Sequence, residues 1–250
     1  MSRWTVGAAA VLATVLLVGA GGAAQALDGY PASGSVGVDI SYPSCHTKIP
    51  AGTPFGVVGV SGGRVFEDNA CAAKEAAAFP GRVSFYVNTG LYTAGNYFTT
   101  AMQEGGCAAG DLRCGTIQYA QDAADHAVAY AVAQKLPIAG TTWWLDVETT
   151  NTWDADTTLN TLFITTEHDR LVADLPGSTI GVYAVPSQWA AIVGAGWDPA
   201  NAYDVWYANG LRNLTATTAR RYCTPTQPVI TGGPVVLVQW VAKIDQDLAC

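Results

Sequence analysis

Short apolar runs recur along the chain, each closed by polar or turn-forming residues. Residues 35–40 (SVGVDI), 55–60 (FGVVGV), 83–87, 143–147, 180–184 (IGVYA), 205–208 (VWYA) and 235–240 (VVLVQW) form this series. Runs of this length, rich in β-branched and aromatic residues, read as strands. Between them lie stretches with helical spacing. The clearest is 116–134, where Ile117, Ala120, Ala124, Ala127, Val128 and Ala131 recur on one face and Pro137 follows. Residues 69–79, 159–175 and 187–193 read as further helices, the first stopped by Pro80 and the second by Pro176-Gly177. Residues 91–115 fit neither pattern and are too long for a plain connection.

Continuous apolar strands alternating with helices predict a parallel sheet buried on both faces. About eight strands, with helices fading late in the chain, predict an α/β fold: an irregular TIM-like barrel of one domain. An open doubly wound sheet is the alternative, but no G-x-G-x-x-G follows the first strand. In such a barrel the carboxyl ends of the strands face the active site. Asp39, Asp146, Glu148 and Asp245 are all placed at strand ends by this reading.

The densest chemistry lies in 141–149 (TTWWLDVET). Side chains alternate along a strand, so Asp146 and Glu148 share a face while Leu145 and Val147 take the other. Adjacent carboxylates repel, so one of them holds its proton to high pH. A neutral acid beside an ionised partner is what glycosidic bond cleavage requires. The Cα atoms of such a pair lie roughly 6–7 Å apart, which leaves retaining and inverting outcomes both open. A bare D-x-E is also what a solvated strand end looks like.

Export changes the picture further. Arg3, the apolar residues 6–20 and the small-residue site Ala24-Gln25-Ala26 read as a signal peptide over 1–26, leaving a barrel domain over 27–250. The protein is expected to be secreted, with no membrane-spanning segment in its mature part. Its net charge of -8 argues against nucleic acid and against anionic lipid as partners. Six cysteines in an exported chain suggest three disulfides. Sequence proximity alone pairs Cys45 with Cys71, Cys107 with Cys114 and Cys223 with Cys250.

With the four acids in place, the chain resembles the family 25 glycoside hydrolases, the Chalaropsis-type lysozymes or N-acetylmuramidases. The residues that carry the likeness are Gly37-Val38-Asp39-Ile40-Ser41, Leu145-Asp146-Val147-Glu148, Gly181-Val182-Tyr183, Val205-Trp206-Tyr207-Ala208, Gln239-Trp240 and Ile244-Asp245. The resemblance implies a (β/α)5(β)3 barrel that cleaves β-1,4 bonds of peptidoglycan without a metal or other cofactor. It implies Glu148 as general acid and Asp146 as the assisting carboxylate, with Asp39 and Asp245 lining the substrate pocket. The chain departs from the family at Val60-Ser61-Gly62-Gly63-Arg64, where a Thr-Glu-Gly-like stretch is usual. It departs again at Tyr86-Val87-Asn88, where Tyr-His-Phe is usual.

Trp144, Tyr183 and Trp240 are expected to bind the sugar by stacking, whereas Trp143 and Trp206 read as core. The expected partner is a polysaccharide, met by a monomer. Two other readings remain: a barrel that binds cell-wall or other glycan without cutting it, and a metal-dependent phosphodiesterase. The latter lacks the His and Lys such sites use, with only His46 and Arg64 near the predicted strand ends. His126 and His168 read as solvated helix residues, and Asn213-Leu214-Thr215 matches a glycosylation acceptor.

Overall fold

The computed structural model describes residues 30–198, 202–212, 214–224 and 230–250. The predicted signal peptide and Asn213 lie outside them. Eight strands close into a barrel in chain order. They are β1 (Val36–Ile40), β2 (Gly56–Gly59), β3 (Val83–Asn88), β4 (Thr142–Asp146), β5 (Thr179–Ala184), β6 (Val205–Arg212), β7 (Val235–Val241) and β8 (Gln246–Ala249). Neighbours from β1 to β7 pair in parallel, while β8 runs antiparallel to both β7 and β1. An irregular α/β barrel in one domain is therefore what forms.

Helices cover the outside of the barrel until late in the chain. These are α1 (Ala72–Ala76), α2 (Asn96–Glu104), α3 (Leu112–Ala133), α4 (Thr157–Asp174), α5 (Pro186–Val193) and the single turn α6 (Ala216–Ala219). The two long ones start where an aspartate accepts a backbone N–H: Asp111 from Cys114 for α3, and Asp156 from Thr158 for α4. Pro176 and Gly177 stop α4 as expected, Gly177 taking a positive φ of 81°. Helix α1 is shorter than its Ala-rich stretch suggests, and the 91–115 excursion contains α2, whose start lacks a side-chain cap.

Side-chain alternation splits the apolar residues into two layers. Val38, Val58, Phe85, Trp143, Leu145, Val147, Val182, Val238 and Trp240 face the helices. Phe55, Val57, Trp144, Tyr183, Trp206, Leu237 and Ala249 fill the barrel interior. Gly181 makes room for the largest of these, because a Cβ there would lie 2.5 Å from the Trp144 ring. The three disulfides join Cys45 to Cys71, Cys107 to Cys114 and Cys223 to Cys250, the pairing that sequence proximity suggested. The last ties the chain terminus beside β8 to the segment after α6.

Candidate active site

At the carboxyl ends of β1 to β7 lies a cleft of about 490 Å³, lined by Asp39, Ser41, Tyr86, Asp146, Glu148, Tyr183, Trp206, Gln239 and Asp245 among others. Strand parity explains the grouping. Asp39, Tyr86, Asn88, Asp146, Tyr183, Trp206, Gln239 and Asp247 occupy positions of their strands that point into the barrel. Glu148, two residues beyond Asp146, continues on the same face just past the end of β4.

Asp146 is buried, and Asn88 donates from Nδ2 to its Oδ2 across 2.6 Å. The two residues are direct partners in the β3–β4 register. Asn151 holds the strand end from outside, donating to the backbone carbonyls of Asp146 at 2.8 Å and Thr89 at 3.1 Å. Trp153 Nε1 donates to the Glu148 carbonyl at 2.7 Å. The acid pair therefore sits on a backbone clamped from several directions, as a catalytic pair requires.

Burial raises the Asp146 carboxyl well above the ordinary range, and the neighbouring Glu148 charge adds to the rise. Burial also raises Glu148, opposed by its hydrogen bond with Asp146, while Asp245 pushes it up further. Asp146 Oδ1 has no N–H or hydroxyl donor among the described residues. A proton shared between the two carboxyls relieves both the unmatched acceptor and the repulsion. The deeper Asp146 favours that proton, and Glu148 is the half-buried member that opens onto the cleft.

A second acid pair lies on the β1–β8 side. Burial and the Asp245 charge push Asp39 up to about 7, opposed by hydrogen bonds from Gln239 and Asp247. Gln239 Nε2 donates to Asp39 Oδ2 at 3.0 Å, and Tyr183 donates its hydroxyl to Gln239 Oε1 at 2.8 Å. Asp247 is completely buried and accepts from Trp206 Nε1 at 2.7 Å. Burial raises it well above its ordinary range, with Asp39 as the next cause.

Asp247 was not among the sequence-derived candidates. Because β8 is antiparallel, its early residues rather than its last reach the cleft end, and Asp247 is the acid that points inward. Asp245 precedes β8 in the turn, where its Oδ1 accepts the Ala242 N–H at 2.9 Å. It still lines the cleft, as expected of it.

The aromatic candidates divide. Tyr183 lines the cleft. Trp144 does not: it points inward but one layer deeper, is fully buried, and borders a separate cavity of about 660 Å³ at the opposite end of the barrel, beside Tyr30, Phe55 and Leu237. Trp240 fails by parity, since its neighbour Gln239 faces in and it must face the helices, where it is buried. Neither offers a ring face to a ligand in the cleft. Trp143 is core as read; Trp206 is core and also forms part of the cleft floor.

A family model described as lysozyme-like protein 1 matches residues 114–222, a span that includes both Asp146 and Glu148. That span is less than half of the chain. A stretch of 68 residues is 37% identical to a probable GH family 25 lysozyme 4 of Dictyostelium discoideum, covering 26% of this chain and 29% of that protein. Among solved structures, the bacterial lysozyme from Streptomyces coelicolor aligns with a TM-score of 0.50 at 16% identity, over 87% of this chain and 92% of its own. The muramidase from Acremonium alcalophilum aligns with a TM-score of 0.53 at 11% identity, over 86% and 93%. At such identities these structures speak for the fold alone, which this chain shares over nearly its whole described length.

Proposed function

We propose that this chain is a secreted glycoside hydrolase that cleaves β-1,4 bonds of peptidoglycan, with Glu148 as general acid and Asp146 as its assisting carboxylate. The observation that carries this reading is the Asp146–Glu148 pair, two residues apart on one face of the chain, with Asp146 buried and Glu148 half-buried where both line an open cleft. Glycoside cleavage needs a proton delivered to the leaving oxygen and a negative charge held near the oxocarbenium-like centre. Glu148 opens onto the cleft and is the member that can reach a glycosidic oxygen. Asp146 lies behind it, and once the proton has moved outward through Glu148 the charge left on the pair faces the developing cation.

Asp39 lines the same cleft with Asp247 buried on the neighbouring strand, and Tyr183, through Gln239, fixes the orientation of Asp39. Every group comes from one barrel, so a monomer suffices. Lysozyme likeness supports peptidoglycan as the glycan. The apolar N-terminal stretch and the three disulfides support export.

The test is release of reducing ends from purified peptidoglycan by the mature protein and by Glu148→Gln. Release by the parent that the variant lacks is the expected result. Retained binding with no release by the parent favours a glycan-binding barrel instead.

A further inference from the structure

The barrel has a second opening, at the amino ends of its parallel strands and away from the acid pairs. A cavity of about 660 Å³ lies there, with Phe55, Trp144 and Leu237 as its apolar floor and Tyr30, Pro54 and Arg82 on its walls. Barrels of this kind are normally filled by layers of bulky branched side chains. The inward rows that run through Tyr86 and Asn88 on β3, and through Trp144 and Asp146 on β4, begin instead with Ser84 and Thr142. Both line the cavity, so the layer that would close this end lacks its bulk. The space left falls within the range of small-molecule sites, about 300–1,000 Å³.

Among the described residues, Arg82 is the only charged one that lines this cavity. Its Nη1 donates to the backbone carbonyls of Thr53 at 3.0 Å and Pro54 at 2.9 Å, just before β2. Those two bonds fix the guanidinium against the wall and use both Nη1 hydrogens. The remaining Nε and Nη2 donors have no acceptor among the described residues, and Arg82 joins no ion pair there. Tyr30 is held as well: its hydroxyl donates to Asp204 Oδ2 at 2.5 Å, and its ring centroid lies 6.3 Å from that of Trp144. An apolar floor favours an apolar body. A guanidinium already held in place, with its Nε–Nη2 edge unused, favours a carboxylate that can bind that edge with both oxygens.

We propose that the amino end of the barrel is a second ligand site, which takes a small amphiphilic acid. Its aliphatic or aromatic body lies against Phe55, Trp144 and Leu237, and its carboxylate is held by Arg82. The site is separate from the acid-lined cleft, so the inference stands whether or not the chain hydrolyses a glycan.

The experiment is calorimetry on the mature protein with octanoate, 3-phenylpropionate, the amide of each, and acetate. Each of the two larger acids should bind roughly fivefold more tightly than its amide at low salt. Acetate, which has no apolar body, should not bind measurably. The tighter of the two larger acids assigns the body as aliphatic or aromatic. Ser84→Leu puts a bulky side chain into the open layer and should abolish binding of acids and amides alike. Ala139→Trp, on the exposed rim of the cavity, should weaken both without entering the barrel interior. Arg82→Gln should leave the amides bound as before and bring the acids down to their level. Because Arg82 also holds the backbone before β2, Arg82→Lys serves as the control: it keeps the charge and should keep a preference for the acids. No binding by the parent, acids that bind no better than their amides, or acetate that binds as tightly as octanoate overturns the site. So does a preference that survives Arg82→Gln, or binding that survives both Ser84→Leu and Ala139→Trp.

Discussion

Asn88 Nδ2 lies 2.6 Å from Asp146 Oδ2, between residues that face each other directly across β3 and β4. The amide can only stabilise the ionised carboxylate, and it is one of the few influences that lower Asp146 against burial and Glu148. Asn88→Ala should therefore raise the apparent pKa of the acid pair and move the working pH window upward, with the rate at the old optimum falling about tenfold. Asn88→Asp should move it further, because it adds a third carboxyl. A pH–rate profile checks both, and an unmoved profile would show that the amide only fills space.

Glu148→Gln should lower the hydrolytic rate by at least about a hundredfold, and Asp146→Asn should do comparable damage. Neither should cost stability. Each removes one carboxyl from a crowded acid pair whose ionisation burial disfavours, so the melting temperature should hold or rise. Reducing-end release and thermal unfolding, measured on the same preparations, separate a lost proton donor from a lost fold. Near-parent activity in Glu148→Gln would send the donor role elsewhere on the cleft floor.

The first seven strands were legible because each is built on a continuous apolar run, and the acid pair because residues two apart on a strand must share a face. The position of Asp146 and Glu148 at the mouth follows from those two facts and the parallel order of β1 to β7. Neither the short strand β8 nor its direction was legible, and that reversal hid Asp247 while drawing attention to Asp245. Parity would have excluded Trp240, since Gln239 and Trp240 cannot both face inward. It could not exclude Trp144, whose parity is right but whose depth depends on Gly181 admitting its ring from the next strand. Helix α2 escaped notice because a nine-residue helix beginning at Gly95 lacks the polar cap that marks α3 and α4.

The protein should be more stable near pH 5 than near pH 8. Burial pushes Glu167, which projects from the buried face of α4 toward Thr89, up to about 8, and Asp39 is held at about 7. In the unfolded chain both lose their protons near the ordinary carboxylate values. As pH rises from there, the unfolded state binds fewer protons than the folded one, so the stability of the fold declines, and the decline ends once the folded groups have titrated. Glu167→Gln should remove its share, on the order of 1–3 kcal/mol, at pH 8 and change little at pH 4. Unfolding midpoints at the two pH values decide it. A gain of equal size at both would mean that packing, rather than the proton, sets the effect.

The disulfides should differ in what they protect. Cys223–Cys250 spans 27 residues and Cys107–Cys114 spans 7, so the former restricts the unfolded chain more, and its double serine variant should lose roughly 3–4 kcal/mol against roughly 2–3 for the latter. The larger consequence is local. Cys250 donates its backbone N–H to the Val236 carbonyl at 2.9 Å and follows directly on β8, the strand that carries Asp247, the buried partner of Trp206 on the cleft floor. Releasing that end should let β8 open before the rest of the barrel unfolds, because few contacts beyond β1 and β7 hold it. The Cys223→Ser/Cys250→Ser variant is therefore expected to lose hydrolysis at temperatures where circular dichroism still reports a folded barrel. Cys107→Ser/Cys114→Ser should keep activity up to its own, slightly lowered, melting temperature. Activity and dichroism that fall together in the first variant would mean that β8 opens only with the whole barrel.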